Sequence, residues 1–170
     1  MPDPRPHLGE PLALDLLNTR WNGGGGPRDL LADLDGLEIW LGTAGLAAPA
    51  NTATLAALRI ARDAVYDTVT TGDSAALNAV LAHGRLRRSL TAAGPVTEPD
   101  VADPAELPGW LAANDLLDLI ARDAGRIRQC AHPDCVLFFY DTSRNGTRRW
   151  HSMAACGNRT KAARHYARRS

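Results

Sequence analysis

The feature that most constrains this chain is the confinement of its cysteines to one short segment. Cys130, Cys135 and Cys156 all lie within 27 residues of a 170-residue chain. Four residues separate Cys130 from Cys135, fifteen then lead to His151, and four more separate His151 from Cys156. Two close pairs of soft ligands joined by a longer loop are typical of a structural zinc site, because Zn²⁺ prefers thiolate and imidazole. We therefore predict one zinc ion bound by these four side chains.

Two alternatives to this metal site concern the cysteines and the fourth ligand. Ordinary buried cysteines would be scattered through a sequence that is 45% hydrophobic, so their clustering favours the metal. Three is an odd number of cysteines, which argues against a disulfide framework and suits a reducing compartment. For the fourth position, His132 between the first two cysteines and His165 near the C-terminus remain open as competitors of His151.

The formal net charge of zero hides two segments of opposite sign. Residues 1–121 carry 8 positive and 16 negative side chains, whereas residues 122–170 carry 11 positive and 3 negative ones. We therefore predict two units, 1–121 and 122–170, that meet at residue 121. No residue after Asp141 is acidic, while eight are basic: Arg144, Arg148, Arg149, Arg159, Lys161, Arg164, Arg168 and Arg169.

The basic segment predicts a nucleic-acid contact, with DNA as the expected partner. Seven of its eight cations are arginine, whose planar guanidinium suits phosphates and guanine edges. All of them except Arg169 are our predicted nucleic-acid-binding residues. Other interpretations stay open: the basic segment docks on the acidic unit, within the chain or across a homodimer, or it is simply solvated, or it contacts another protein.

Hydrophobic periodicity predicts a mainly α fold with a helical N-terminal domain. The clearest helix begins after Asn51 or Thr52 and ends at Gly72. Further helices are expected within residues 9–18 and 29–46, from 74 to 90, and from 105 without interruption to Cys130. We predict a flexible loop at residues 22–27, "NGGGGP", and a loop or at best a short hairpin at 91–108. The zinc-binding part should contain a knuckle, a β-hairpin turning at Asn145-Gly146, and a basic C-terminal helix.

Several functional classes are not supported by the sequence. No stretch is long and apolar enough for a membrane span, and the N-terminus lacks the pattern of a signal peptide, so we expect a cytoplasmic protein. Residues 1–121 do not combine a nucleophile, a base and an orienting group. Four metal ligands would close the zinc coordination shell, whereas catalytic zinc keeps an open position. We therefore do not expect an enzyme.

Two stretches resemble a known family. The motif "CGNR" at 156–159, preceded by "RRWHSM" and followed by "TKAARH", resembles the CGNR zinc finger, and "LALDLLNT" at 12–19 resembles the ABATE domain. The resemblance implies a transcription regulator, described as stress-induced, whose N-terminal domain would dimerise or sense an effector of unknown chemistry. The family pattern has cysteine where this chain has His151. Applied to this chain, the family pattern implies the ligands Cys130, Cys135, His151 and Cys156. The histidine changes the charge of the zinc site from about −2 for four thiolates to about −1.

Overall fold

The structure, a computed structural model that describes residues 2–158, combines helices with short strands. The five α-helices in this part of the chain are α1 (Leu12–Leu17), α2 (Leu34–Ala44), α3 (Thr52–Thr71), α4 (Ala75–Leu81) and α5 (Leu107–Asp123). Six strands form three antiparallel hairpins: β1 (Arg20–Gly23) with β2 (Gly26–Asp29), β3 (Gly84–Thr91) with β4 (Gly94–Val101), and β5 (Ile127–Gln129) with β6 (Phe138–Tyr140). The prediction of a mainly α fold is therefore wrong.

The first hairpin replaces the predicted flexible loop at residues 22–27. Gly23 pairs with Gly26, so the turn between β1 and β2 contains only two residues. Gly26 has a φ of +109°, a backbone conformation that is readily available only to glycine. The glycine run thus closes a tight turn instead of leaving the chain flexible.

The second hairpin truncates the helix that we predicted from residue 74 to 90. Helix α4 ends at Leu81, and β3 pairs with β4 along its whole length, from Gly84 opposite Val101 to Thr91 opposite Gly94. Arg85 opposes Asp100 and forms an ion pair with it, and Arg87 does the same with Glu98. Cross-strand pairs of opposite charge favour this register.

The third hairpin interrupts the helix that we predicted to run to Cys130. Helix α5 ends at Asp123, whose side chain accepts a hydrogen bond of 3.0 Å from the backbone N–H of Gly125. A short 3₁₀ turn follows, and β5 then pairs with the apolar strand β6. The prediction for α3 is confirmed: Asn51 caps its N-terminus, and Gly72 ends it with a φ of +81°.

The hydrophobic core forms where α1 packs against α3 and α5. Leu14, Leu58 and Leu116 contribute fully buried side chains from these three helices. Gly109 allows α5 to approach α3 closely, because a Cβ at this position would lie 2.8 Å from the Cβ of Ala61. Phe138 of β6 belongs to the same core. No helix within residues 2–158 is long and apolar enough to cross a membrane.

Buried polar side chains in and after α1 connect it to the surrounding elements. Asp15 accepts a hydrogen bond of 2.8 Å from the Arg5 guanidinium and one of 2.9 Å from the indole N–H of Trp40. Thr19, directly after α1, accepts one of 2.8 Å from the fully buried Arg62. These bonds give buried carboxylate, hydroxyl and guanidinium groups hydrogen-bond partners within the core.

Asn18 joins α1 to β6. Its side-chain amide donates to the carbonyl of Phe138 over 2.9 Å, and its side-chain oxygen accepts from the N–H of Phe138 over 2.8 Å. Both residues are buried. The Asn18 amide therefore takes the place of a neighbouring strand for the backbone of β6.

Replacement of Asn18 by alanine tests this connection. We expect Asn18→Ala to lower the free energy of unfolding by roughly 2–4 kcal/mol, because two buried backbone groups lose their partners at about 1–3 kcal/mol each. Urea denaturation measures the change. Asn22→Ala is the matched control, since exposed Asn22 makes a single hydrogen bond of 2.8 Å to the Asp134 carbonyl. Equal effects of the two substitutions would contradict the role of Asn18.

Asp29 neutralises the buried guanidinium of Arg62. Two hydrogen bonds of 2.6 and 2.8 Å join the two side chains in a bidentate pair. Partial burial by itself would raise the pKa of Asp29, but the hydrogen bonds and the positive charge of Arg62 outweigh it and hold the pKa below its ordinary value. The ionised carboxylate is therefore the form that stabilises the fold.

The pH dependence of stability tests this ion pair. We expect Asp29→Asn to cost about 2–3 kcal/mol, less than a fully buried pair would, because the Asp29 side chain is 32% exposed. Because the folded-state pKa of Asp29 is lowered, the ion pair contributes its full stability at pH values above the carboxyl pKa of the unfolded chain, which is about 3.9. The difference between wild type and variant should therefore be constant above pH about 4 and shrink below it.

Urea denaturation over a pH series measures this difference, and subtraction cancels groups that titrate in both proteins. Asp35→Asn on α2 is the control, because exposed Asp35 makes no ion pair with any residue in the described part of the chain. A difference that grew towards acid pH would contradict the assignment.

Candidate metal centre

The structure brings the four predicted ligands together. One ligand atom each from Cys130, Cys135, His151 and Cys156 lies within 4.8 Å of all the others. Cys135 is half-buried and the other three are buried. None of the three cysteines forms a disulfide. The cluster is therefore a compact set of thiols and one imidazole, sheltered from solvent.

The first ligand pair is built on the hairpin of β5 and β6. Cys130 follows β5 directly, and its N–H donates over 2.9 Å to the carbonyl of Leu137. The N–H of Cys135 then donates over 3.0 Å to the carbonyl of His132, which closes the turn. Our predicted hairpin at Asn145-Gly146 is wrong: a turn lies there, but the described residues around it form no strand. The knuckle is the tip of the β5–β6 hairpin.

The second ligand pair depends on a short helical turn. The Ser152 side chain accepts a hydrogen bond of 3.2 Å from the N–H of Ala155, and its carbonyl accepts one of 3.0 Å from the N–H of Cys156. Cys156 thereby lies in a π-helical turn, Met153–Gly157. The N–H of Ala131 donates over 2.8 Å to the carbonyl of Arg149, which ties the knuckle to the second pair.

The arrangement fits tetrahedral zinc. Nδ1 of His151 lies 3.5 Å from Sγ of Cys135. Zinc bond lengths of about 2.3 Å to sulfur and about 2.0–2.1 Å to nitrogen give a separation of about 3.5 Å between two such ligands. Three cysteines and one histidine would supply four ligands, the number that structural zinc sites use.

The Cys135 thiol is a poor acid without a cation. Partial burial, followed by the proximity of Cys130 and Cys156, raises the pKa of Cys135 to about 12. A metal ion must therefore displace the proton when it binds, and in exchange it relieves the crowding of three sulfur atoms. A positive charge at the centre of the cluster would therefore stabilise the deprotonated form of Cys135.

The competing histidines differ in their positions. Nδ1 of His132 accepts a hydrogen bond of 3.2 Å from the N–H of Asp134, and this residue is not part of the cluster. His165 lies outside the described residues. Only His151, among the histidines that the structure describes, joins the three cysteines.

The segment before α1, which contains His7 and Glu10, lies beside the metal centre and was not predicted from the sequence. The ring of His7 lies 4.9 Å from the ring of His151, centroid to centroid, and its Nε2 lies 2.8 Å from the Glu10 carboxylate. Glu10 also accepts a hydrogen bond of 2.9 Å from the N–H of Tyr140. The signal that pointed to this segment was weak: one histidine and one acid in a proline-rich stretch.

The predicted nucleic-acid-binding residues fall into three groups. Arg144 and Arg149 are exposed and form no ion pair with any residue from 2 to 158. Arg148 is half-buried: its guanidinium donates to the backbone carbonyls of Trp150 and His151 and lies 4.5 Å from the ring centre of Phe139. The predicted terminal helix, with Arg159, Lys161, Arg164 and Arg168, lies outside the described residues.

Asp141 organises the loop that carries these arginines. This fully buried carboxylate accepts hydrogen bonds of 2.9 Å from the N–H groups of Ser143 and Arg148. Burial alone would raise the pKa of Asp141, but the hydrogen bonds from Ser143 and Arg148 and the charge of Arg128 lower it below its ordinary value. Its isolation as the last acid of a basic segment was the sequence signal for this role.

Comparison with known families covers almost the whole chain. Residues 126–169 match the model described as "CGNR zinc finger", and residues 10–127 match ABATE, described as "Putative stress-induced transcription regulator". No curated protein was found to match. Both resemblances that we drew from short motifs are thereby confirmed, whereas the predicted boundary at residue 121 stays a prediction.

Substitution of the histidines tests the ligand set. We expect one zinc per chain, and His151→Ala should weaken zinc binding more than about 100-fold, because even the loss of a residue that only supports a ligand costs about 10–100-fold. His151→Cys should retain zinc, since it restores the four-thiolate set. Elemental analysis and competition with a chromophoric chelator measure both effects.

His132→Ala is the matched control, because it removes an imidazole from the same finger without touching the cluster. A larger loss of zinc from His132→Ala than from His151→Ala would overturn the assignment. The assignment would also be overturned if full-length protein purified without chelator contained no stoichiometric metal.

Proposed function

Because the chain belongs to the ABATE family and carries a CGNR zinc finger, we propose that it is a DNA-binding transcription regulator with one structural zinc ion. The observation that carries the proposal is the position of two exposed arginines beside the metal centre. Arg144 and Arg149 form no ion pair within residues 2–158, although an acidic domain of net charge −8 belongs to the same chain. The Arg149 guanidinium lies over the Trp150 ring, 5.3 Å from its centre, a contact that leaves its charge without a carboxylate. Arginines of this kind on an ordered finger favour phosphate as their partner.

Zinc would give this surface its rigidity. The carbonyl of Arg149 is already held by the knuckle through Ala131, and His151 follows two residues later. A metal bound by Cys130, Cys135, His151 and Cys156 would therefore fix the backbone of Arg149 from both sides. With four ligands the ion would have a structural role, and we propose no catalytic activity.

Arg148 supports the contact surface from within. Its side chain bonds two backbone carbonyls of the segment that contains His151, and it covers the ring of Phe139. A guanidinium used in this way has fewer donors left for a phosphate. We assign DNA contact to Arg144 and Arg149 among the described residues, and to Arg148 a positioning role.

The N-terminal domain would regulate the finger. It is attached through buried contacts rather than through a free linker, since Asn18 bonds Phe138 and Glu10 bonds Tyr140. Sensing of an effector, dimerisation or both are the activities that we propose for it, in a cytoplasmic protein. Zinc-dependent protein interaction or dimerisation without DNA is the second candidate, favoured by the exposed Leu86 and Leu90 on β3.

Salt dependence tests DNA binding. Each phosphate contact releases counterions, so log K should fall with log salt by about 0.9 per contact on duplex DNA. We expect Arg149→Gln to reduce this slope by about one contact and to weaken binding on random and specific sequences alike. Fluorescence anisotropy of the zinc-loaded full chain on labelled duplexes measures both quantities.

Arg88→Gln is the matched control for the loss of one positive charge. Arg88 is exposed on the β3–β4 hairpin and forms no ion pair with a residue in the described range 2–158. Equal effects of the two substitutions would show that DNA binding depends on the overall charge of the chain and not on the position of Arg149. Absence of binding at low salt would reject the DNA proposal and leave protein interaction as the function.

A further inference from the structure

A cavity of about 480 Å³ lies between the N-terminal domain and the finger. Its walls come from α1, the β1–β2 hairpin and α3 on one side, and from β5, β6 and the residue after Cys135 on the other. Pockets that bind small molecules measure about 300–1,000 Å³ and often lie where two domains meet. The size and the place are therefore those of a ligand site.

The walls of this cavity are largely apolar and aromatic. Trp21, Pro27 and Tyr66 line it from the N-terminal domain, and Val136 and Phe138 line it from the finger. The rings of Tyr66 and Phe138 meet edge to face, with their centroids 6.0 Å apart. Tyr66 and Val136 nevertheless remain 43% and 38% exposed. A flat apolar group that entered here would cover surface that the fold leaves in water.

The polar part of the cavity has a surplus of positive charge. Arg62 is matched by Asp29, and Arg20 forms an ion pair of 3.0 Å with Asp63. Arg28 also lines the cavity, is exposed, and has no carboxylate partner among residues 2–158. The Nε–H of Arg62 has no hydrogen-bond partner among residues 2–158. One unmatched cation and one unused donor both favour an anion.

We propose that this cavity binds a small organic acid with an aromatic body, whose negative group is held by Arg28. The ring would lie against Trp21 and Tyr66, and the carboxylate would supply the acceptor that the arginines lack. Because both the N-terminal domain and the finger line the cavity, bound acid would couple the two. This role as an effector rests on the proposed regulatory function, whereas the binding itself does not.

Binding is tested without DNA, on the zinc-loaded full chain. The probe is 1-naphthoate, and its neutral counterpart is 1-naphthamide, which has the same ring system. We expect naphthoate to bind about tenfold or more tightly than the amide, because a hydrogen bond to a charged group outweighs one to a neutral group by about that factor. Isothermal titration calorimetry measures both affinities.

Substitutions locate the site. Arg28→Gln should remove most of the preference for naphthoate, and Tyr66→Ala should weaken both probes. Arg88→Gln and Leu90→Ala, on the exposed β3–β4 hairpin away from the cavity, are the matched controls and should change neither affinity. Thermal unfolding without probe shows whether each variant is folded.

Hydrogen exchange of residues 129–138 reports the coupling to the finger. We expect naphthoate to slow exchange in this segment of the wild-type chain and not in Arg28→Gln. No binding of either probe at about 1 mM, equal affinities for the two, or binding that survives both cavity substitutions would overturn the proposal. Since none of these measurements uses DNA, the failure of this site and the failure of DNA binding are distinguished.

Discussion

The hydrogen-bonded pair between the Asn18 side chain and the backbone of Phe138 is the interaction on which the arrangement of this molecule depends. A short strand of three residues cannot be stable by itself, and within residues 2–158 β6 has one neighbouring strand, β5. The Asn18 amide supplies the donor and the acceptor that a second neighbour would provide. Because β5 and β6 carry the knuckle, the position of the first two metal ligands depends on Asn18, which caps the C-terminus of α1 and lies more than one hundred positions away in the chain.

The metal centre and the basic loop depend on each other in a similar way. Zinc would join the knuckle to the turn that contains Cys156, while the buried carboxylate of Asp141 and the guanidinium of Arg148 hold the segment between them. These contacts occupy the side chains of Asp141 and Arg148, one acid and one arginine of the basic segment. Arg144 and Arg149 are therefore exposed on a loop whose backbone is held in place, which reduces the entropy that they lose on binding a partner.

The sequence predicted the features that depend on local chemistry. The ligand types and their spacing identified Cys130, Cys135, His151 and Cys156 before any fold was known, and periodicity with an Asn51 cap and Gly72 identified α3. The hairpins could not be predicted in this way, because a strand is stabilised by its partner, and the pairing of β5 with β6 also needs α1. The roles of Asn18 and Asp141 follow from burial, which a polar residue in an apolar stretch signals only weakly.

The contacts of the knuckle suggest where a ligand in the shared cavity would act. One side of the β5–β6 hairpin is held by the buried bonds of Asn18. On the side of β1, its tip is joined by an exposed bond from Asn22 to the Asp134 carbonyl. Exposed hydrogen bonds contribute little because water replaces them, whereas buried ones are costly to break. Asn22 also lines the cavity. A ligand that contacted Val136 and Phe138 would therefore add to this weak attachment and hold the tip of the knuckle more firmly. A ligand shifts such an equilibrium only by its preference for one of the two arrangements.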